Sequence, residues 1–273
     1  MSAPPLDVPD FAARTEARRL LFRYYRSQKS EVVPEEQAFL ARGEQVALEV
    51  AGGPVSTWSW GEGPTILLVH GLYGRAGQLL AYVNPLVEAG FRAVVFDAPG
   101  HGASPAQYTF PDLAAQAIVA IDRHCGGLEG AVAHCGGASW VGYAFEHGLR
   151  LRNLVLCSPA GGRAQIDTYI QLKNLSDEVA RELAVAIAAF EGRGGWEIGC
   201  VPSNVRSWLA RGLVVHDRDD RYVPIAYARA VVDAWPGARI VETQQLGHVS
   251  GLRDSGVIGT VVSFLREPGS PSA

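Results

Sequence analysis

The stretch AVAHCGGASW, Ala131 to Trp140, sets a cysteine between small residues, with Ala133 on one side and Gly137 on the other. An apolar run precedes it and a helical pattern follows. A sharp strand-to-helix turn crowds its own backbone, so small residues at these two places permit such a turn, and the residue at its tip then projects clear of the sheet. Cys135 at that tip would be a nucleophile, with the Gly136 N–H aimed at the reacting carbonyl. Three readings stand at this point: a working thiol nucleophile, a cysteine in place of serine that has disabled the site, and a buried cysteine in a chance match.

The elements around the turn decide how it is held. TILLVHG is a continuous apolar run ending in Gly71, AGQLLAYVNPLVEAG has helical periodicity closed by Gly90, and FRAVVFDAPGHG is another apolar strand entering a glycine-rich loop. The alternation continues through a helix over about Pro111 to His124, the strand GAVAH, a helix from Gly136 to Phe145, and the strand LRNLVLCSP. It resumes with GLVVH, a helix over IAYARAVVDAW, the strand ARIVET and a terminal helix near VIGTVVSFL. Strands buried on both faces belong to parallel sheets, so the pattern predicts an α/β, doubly wound, mostly parallel sheet with function at the carboxyl ends of its strands. VALEV and VSTWSW, parted by Ala51 to Pro54, read as a hairpin. Between Ala160 and Ser207 the rhythm breaks: a helical piece over Ala164 to Leu175 and a second helix capped by Ser176 and running through Glu191 form an insertion, expected to cover the site as a lid.

Taken together, LLVHGLYG, VVFDAPGHGAS, AHCGGA, LVVHDRDDRYVP and LGHVSGLRD resemble, in order and spacing, the oxyanion loop, the Asp-x-Pro-Gly-His-Gly-x-Ser segment, the nucleophile elbow, the acid loop and the histidine loop of the α/β-hydrolase superfamily, in its small esterase- and thioesterase-like branch. The resemblance runs from about Gly61 to Pro268. It implies an α/β-hydrolase fold with a short helical lid, an N-terminal helical segment over 1–30, and a hydrolase domain over 31–273 whose lid insertion spans about 161–207. It also implies Cys135 as nucleophile, His248 as general base and Asp220 as the acid that orients it. The departure is the thiol, since the family's elbow usually carries serine. Thiol relatives such as dienelactone hydrolases and polyhydroxyalkanoate synthases show that the fold accepts one. Haloalkane and epoxide chemistry is disfavoured, because those branches carry Asp at this position.

The residues support the same trio on physical grounds. A thiol attacks well as the thiolate, an imidazole within hydrogen-bond reach can hold it as an ion pair, and a carboxylate fixes the ring's tautomer. His248 follows ARIVET in a glycine-containing loop ahead of the terminal helix, and Asp220 lies four residues before Pro224 in the loop after GLVVH; Asp217 and Asp219 are alternatives, with a solvated turn their blander reading. The oxyanion donors expected are the backbone N–H groups of Leu72 and Gly136. Tyr73, Trp196 and Trp208 are candidates for the substrate pocket, and Trp140 for the core. His70, His101 and His134 read as braces. His124, His147 and His216 have no motif that recommends them.

An acyl-enzyme on a thiol suits activated esters or thioesters, so the expected activity is hydrolysis of a small-molecule carboxylic ester or thioester through a Cys-His-Asp triad. Acyl transfer from the same intermediate is an alternative, and so is a non-catalytic homologue that binds a ligand in the same pocket. Over 273 residues the net charge is -4 with few basic clusters, which disfavours a nucleic-acid surface. The exception, Arg14, Arg18, Arg19, Arg23, Arg26 and Lys29 interleaved with Leu and aromatic residues, reads as a docked helix with a solvated basic face rather than a membrane contact. Four scattered cysteines, without metal-ligand spacing, predict free thiols, no metal and no organic cofactor. The N-terminus lacks the basic-then-apolar order of a secretory signal, so a cytoplasmic location is expected. Nothing in the sequence fixes an oligomeric state.

Overall fold

Eight strands form one sheet in a computed structural model, which describes residues 11–26, 33–191 and 199–267. In chain order the elements are α1 (Phe11–Tyr25), α2 (Pro34–Leu40), β1 (Glu44–Val50), β2 (Gly53–Trp60), β3 (Thr65–Val69), a 3-10 stretch (Ala76–Tyr82) leading into α3 (Val83–Glu88), β4 (Arg92–Phe96), α4 (Pro111–Cys125), β5 (Gly130–His134) and α5 (Gly137–Glu146). There follow β6 (Asn153–Cys157), α6 (Gly162–Lys173), α7 (Asp177–Glu191), α8 (Pro202–Val205), β7 (Arg211–Asp217), α9 (Ile225–Ala234), β8 (Arg239–Thr243), α10 (Gly247–Ser250) and α11 (Ser255–Arg266).

The strand order is β1-β2-β4-β3-β5-β6-β7-β8. The β1-β2 hairpin and the β2-β4 pair are antiparallel, and every other pairing is parallel. β3, β5 and β6 are buried along their whole lengths, as the unbroken apolar runs TILLV, GAVAH and NLVLC require. Alternate side chains of these strands enter two cores. Leu67, Val69, Ala133 and Leu156 pack with α4, α5 and α9, while Ile66, Leu68, Val132 and Val155 pack with α3 and α11 on the other face. This two-faced cover is the doubly wound arrangement.

α6, α7 and α8 lie between β6 and β7. α1 packs on this helical insertion: its buried face, with Ala17, Leu20, Tyr24 and Tyr25, shares a third apolar cluster with Ile166, Tyr169, Leu183 and Ile187. Of its basic residues, Arg14 reaches across to Glu182 of α7 at 3.3 Å, and the exposed Arg19 pairs with Glu16 of α1 itself at 3.6 Å. At its C-terminal end Arg26 forms a β-bridge with Tyr108, and Thr109 donates its N–H to the Tyr25 carbonyl at 2.8 Å, so α1 is tied to the loop ahead of α4 as well as to the lid. No helix of the described residues is long and apolar enough to cross a membrane.

α2 stood out from no sequence pattern, yet it anchors the loop after β3. The Glu36 carboxylate, almost buried, accepts from Arg75 Nε at 2.6 Å, from Arg75 Nη2 at 3.0 Å and from Arg253 Nη2 at 3.3 Å. Breaking a buried pair leaves the surviving charge desolvated, so Glu36→Ala is expected to cost about 3 kcal/mol of stability in urea denaturation. A variant within about 0.5 kcal/mol of wild type would mean that Arg75 finds equal solvation elsewhere.

Candidate active site

β5 runs into α5 through Cys135, whose φ of +50° lies in the left-handed region that costs a side-chain-bearing residue strain. The turn is held from both sides: Cys135 donates its N–H to the Cys157 carbonyl at 3.0 Å, and its own carbonyl accepts from Ala138 and Ala160 at 3.1 Å. The small residues are required by contact. A Cβ on Gly137 would lie 2.5 Å from the His70 carbonyl oxygen, and one on Gly71 would lie 2.9 Å from Cys135 Cβ. That closeness brings the loop after β3 against the elbow, and Leu72 lines the same cavity as Cys135. Among the described residues neither the Leu72 N–H nor the Gly136 N–H has a protein acceptor.

Histidines brace that loop, each in a defined tautomer. His70 Nε2 accepts from the Ala98 N–H at 3.0 Å with Nδ1 2.8 Å from the Gly71 carbonyl, and His101 Nε2 accepts from the Tyr73 N–H at 3.1 Å with Nδ1 3.1 Å from the Pro99 carbonyl. Both rings therefore carry their proton on Nδ1. Burial agrees with neutral rings, pulling His70 down to about 4 and His101 to about 3. Tyr73, at φ +61°, has its N–H committed to His101, which leaves Leu72 as the donor of this loop.

His248 lies on α10, a single turn after β8, and Nδ1 is 2.7 Å from Oδ2 of Asp220. Cys135 lines the same cavity as His248. Burial acts to lower the His248 pKa, but the hydrogen bond to Asp220 and the nearness of Cys135 outweigh it and raise the value to about 10. Asp220 is held on all sides. Oδ1 accepts the N–H groups of Tyr222 at 2.8 Å and Val223 at 3.0 Å, while burial, which alone would raise its pKa, loses to these bonds and to His248, so the carboxyl falls below the usual carboxylate range.

The two alternative acids have other work. Asp217 accepts from the Thr243 hydroxyl at 2.8 Å and from the N–H groups of Leu246 and Asp219, and Asp219 accepts from the Gln245 N–H at 3.0 Å. They tie the acid loop to the histidine loop. His134, one residue before the nucleophile position, donates Nε2–H to the His248 carbonyl at 3.0 Å, and burial with the nearby His248 lowers it to about 3, so it stays neutral and fixes the histidine loop to the elbow. His216 donates to the Val223 carbonyl at 2.8 Å behind Asp220.

Cys135 and His248 open into a cavity of about 210 Å³ whose walls include Tyr24, Tyr73, Tyr169, Leu172, Tyr222 and Val249. Among the described residues no Lys, Arg, Asp or Glu lines it. Tyr73 is therefore at the pocket, as its sequence position suggests, with its hydroxyl donated to the Tyr24 carbonyl at 3.0 Å. Trp208 is not brought there. It is 5% exposed in the sheet core, edge-on to Phe145 and Trp235 at 5.2 Å, because the end of the insertion turns back under the sheet toward β7. Trp196 lies outside the described residues. Gln165 of α6 and Tyr24 also line the cavity; Tyr24 carries no signal in the sequence, since it reaches the cavity only through the docking of α1 on the lid.

The other thiols differ from Cys135 in setting. Cys157 and Cys200 are buried, and burial pushes Cys157 up to about 11 and Cys200 further. All four cysteines are free. Among the described residues no cluster of three or more His, Cys, Asp or Glu side chains could hold a metal ion.

Comparisons agree with this architecture. The chain is similar to a 2-hydroxy-6-oxo-6-phenylhexa-2,4-dienoate hydrolase of Comamonas testosteroni, 25% identical over a match covering 69% of this chain and 82% of that protein. Among solved structures it resembles an esterase from Exiguobacterium antarcticum, with TM-score 0.66, 16% identity, and coverage of 82% of this chain and 100% of the other. It also resembles a thermophilic esterase from Thermogutta terrifontis, with TM-score 0.62, 18% identity, and coverage of 82% and 98%. Residues 66–258 match the model of the alpha/beta hydrolase family, and with the eight-stranded sheet and its elbow described above this makes the chain a member of that family.

Proposed function

We propose that the protein hydrolyses small carboxylic esters or thioesters through Cys135, with His248 as acid and base, Asp220 as its orienting carboxylate, and the Leu72 and Gly136 N–H groups as oxyanion donors. The observation that carries this reading is one arrangement: a strained cysteine at a strand-to-helix turn, sharing an apolar cavity with a histidine whose Nδ1 is 2.7 Å from a buried carboxylate. A buried cysteine that merely fills space needs neither the positive φ nor the histidine.

In the proposed sequence the Cys135 sulfur attacks the substrate carbonyl carbon, and the carbonyl π electrons move onto oxygen, where the two N–H groups receive the charge. Collapse breaks the bond to the alcohol or thiol, which leaves with a proton from His248. A water then gives a proton to His248 and attacks the thioester carbonyl, and the second collapse expels the Cys135 sulfur and releases the acid. Among the described residues no Lys or Arg lines the pocket and its one cation, His248, is already paired with Asp220, so a neutral acyl group is the better fit to the walls around Cys135.

The charged form of His248 is the leaving group's proton donor, and its raised pKa means that this form persists from neutral pH upward until about 10. Acylation is therefore expected to hold across neutral pH and to fall on the alkaline side as that proton is lost. Initial rates on p-nitrophenyl butyrate and a butyryl thioester, corrected for spontaneous hydrolysis and taken from pH 6 upward, test both the activity and this limb. Saturable binding of either compound with no release of product would sink the catalytic reading in favour of a ligand-binding homologue.

A further inference from the structure

Large apolar side chains exposed singly on a surface need no explanation, but three on the wall of one cavity call for one. Leu172 near the end of α6, Tyr222 in the acid loop and Val249 on α10 are 58%, 43% and 46% exposed, and all three line the cavity that holds Cys135 and His248. Elsewhere on the same wall Tyr24, Ala160 and Tyr169 are buried. The cavity therefore has a buried end under the lid and an open end ringed by apolar side chains.

That open end is fixed by the same bonds that hold the triad. Tyr222 donates its N–H to Oδ1 of Asp220 at 2.8 Å, and its carbonyl accepts from the Thr168 hydroxyl at 2.7 Å, which ties the acid loop to the helix that carries Leu172. Val249 follows His248, whose carbonyl accepts from His134 at 3.0 Å. The Tyr222 ring is centred 5.3 Å from the His248 ring. The apolar collar thus stands on the His248 side of the site. In the proposed reaction His248 gives its proton to the alcohol or thiol as the bond to the carbonyl carbon breaks, so the leaving group must lie within reach of that ring.

We infer that Leu172, Tyr222 and Val249 form a subsite for an apolar leaving group, an alkyl alcohol or alkyl thiol, while the acyl group occupies the buried end near Tyr24 and Tyr169. An alkyl chain laid on the collar covers apolar surface that water otherwise wets, and each of its methylenes gains by leaving water as well. Lys173 and Arg221 adjoin Leu172 and Tyr222 in the chain, so an anionic leaving group is the competing occupant; neither cation lines the cavity, which favours the apolar one. This inference rests on the reading of the Cys135 cavity as the substrate site.

Two ester series read the two ends separately. On the wild-type protein kcat/KM is expected to rise about 10-fold from ethyl to hexyl butyrate, short of the ~200-fold that full burial of four methylenes would give, because the collar is open on one side. In the double variant Leu172→Ser, Val249→Ser that rise is expected to shrink to ~3-fold or less, while the ratio of ethyl hexanoate to ethyl butyrate, which reads the buried end, stays within ~2-fold of its wild-type value. Val185→Ser, at an exposed position of α7 outside the cavity, is expected to change neither ratio. A rise that persists in the double variant, a loss that falls on the acyl series instead, or a preference for 5-carboxypentyl butyrate over hexyl butyrate would overturn the subsite. Calorimetric titration of ethyl and hexyl butyrate into Cys135→Ala, with and without the two serines, reads the same preference without turnover. Hexyl preference there with no turnover by the wild type keeps the subsite and removes the hydrolase reading, whereas turnover with equal kcat/KM on ethyl and hexyl butyrate removes the subsite alone.

Discussion

Cys135→Ala is expected to lower ester hydrolysis by about 10⁴- to 10⁶-fold, the loss seen when a covalent nucleophile is removed from a site whose other parts remain. The substitution removes only the sulfur and leaves the turn to be held by Cys157, Ala138 and Ala160, so the fold is expected to survive it. Cys135→Ser separates the thiol from the geometry of the turn. A serine hydroxyl is a far weaker acid than a thiol and must give up its proton during the attack itself, whereas the thiol can form the thiolate beforehand, so this variant is expected to be at least ~10-fold slower near neutral pH. A rate above wild type would mean that the surrounding site is built for an oxygen nucleophile. Steady-state kinetics on one p-nitrophenyl ester across wild type and both variants distinguishes these outcomes.

The second large effect is expected at Asp220→Asn, about 10³- to 10⁴-fold in kcat, by the wrong-tautomer argument established for serine triads. Here the direction of the amide is set by the protein. The carboxyl oxygen that accepts from Tyr222 and Val223 can be replaced only by the amide oxygen, which turns the NH₂ toward His248 Nδ1. Nδ1 must then accept, the ring proton moves to Nε2, and the ring can no longer take a proton from the Cys135 side. Loss of the carboxylate also removes a main contribution raising the His248 pKa, so the alkaline limb is expected to move to lower pH. A variant with full kcat and an unmoved limb would show that Asp220 neither orients nor charges the histidine.

Much of this was readable in the residues, for a physical reason. Strands buried on both faces must be apolar throughout, so TILLV, GAVAH and NLVLC declare themselves, and a turn as crowded as the one at Cys135 admits only small neighbours. The hairpin, the insertion between β6 and β7 and the Ser176 cap of α7, where Val179 N–H reaches Ser176 Oγ at 3.4 Å, follow from similarly local rules. The helical periodicity over Ala76 to Gly90 corresponds to a 3-10 stretch followed by a short helix, since both conformations put residues three or four apart on one side.

What stayed hidden depends on contacts distant in the chain. Tyr24 enters the pocket because α1 docks on α7, and the same apolar stripe on α1 would read identically for any docking partner. Glu36 looks like an ordinary first-turn acid of a short helix until Arg75 and Arg253 meet it. Trp208 misleads because an aromatic residue near the end of an insertion can face the pocket or the core, and only the return path to β7 decides for the core.

The central claim is that the acyl group is carried on the Cys135 sulfur. Intact-mass spectrometry of protein quenched in acid seconds after mixing with p-nitrophenyl butyrate, followed by peptide mapping, addresses it directly. One butyryl group per chain, located on Cys135 and absent from Cys135→Ala, is the result expected. Nitrophenol release by Cys135→Ala at the wild-type rate, or an adduct located on any other residue, would contradict it.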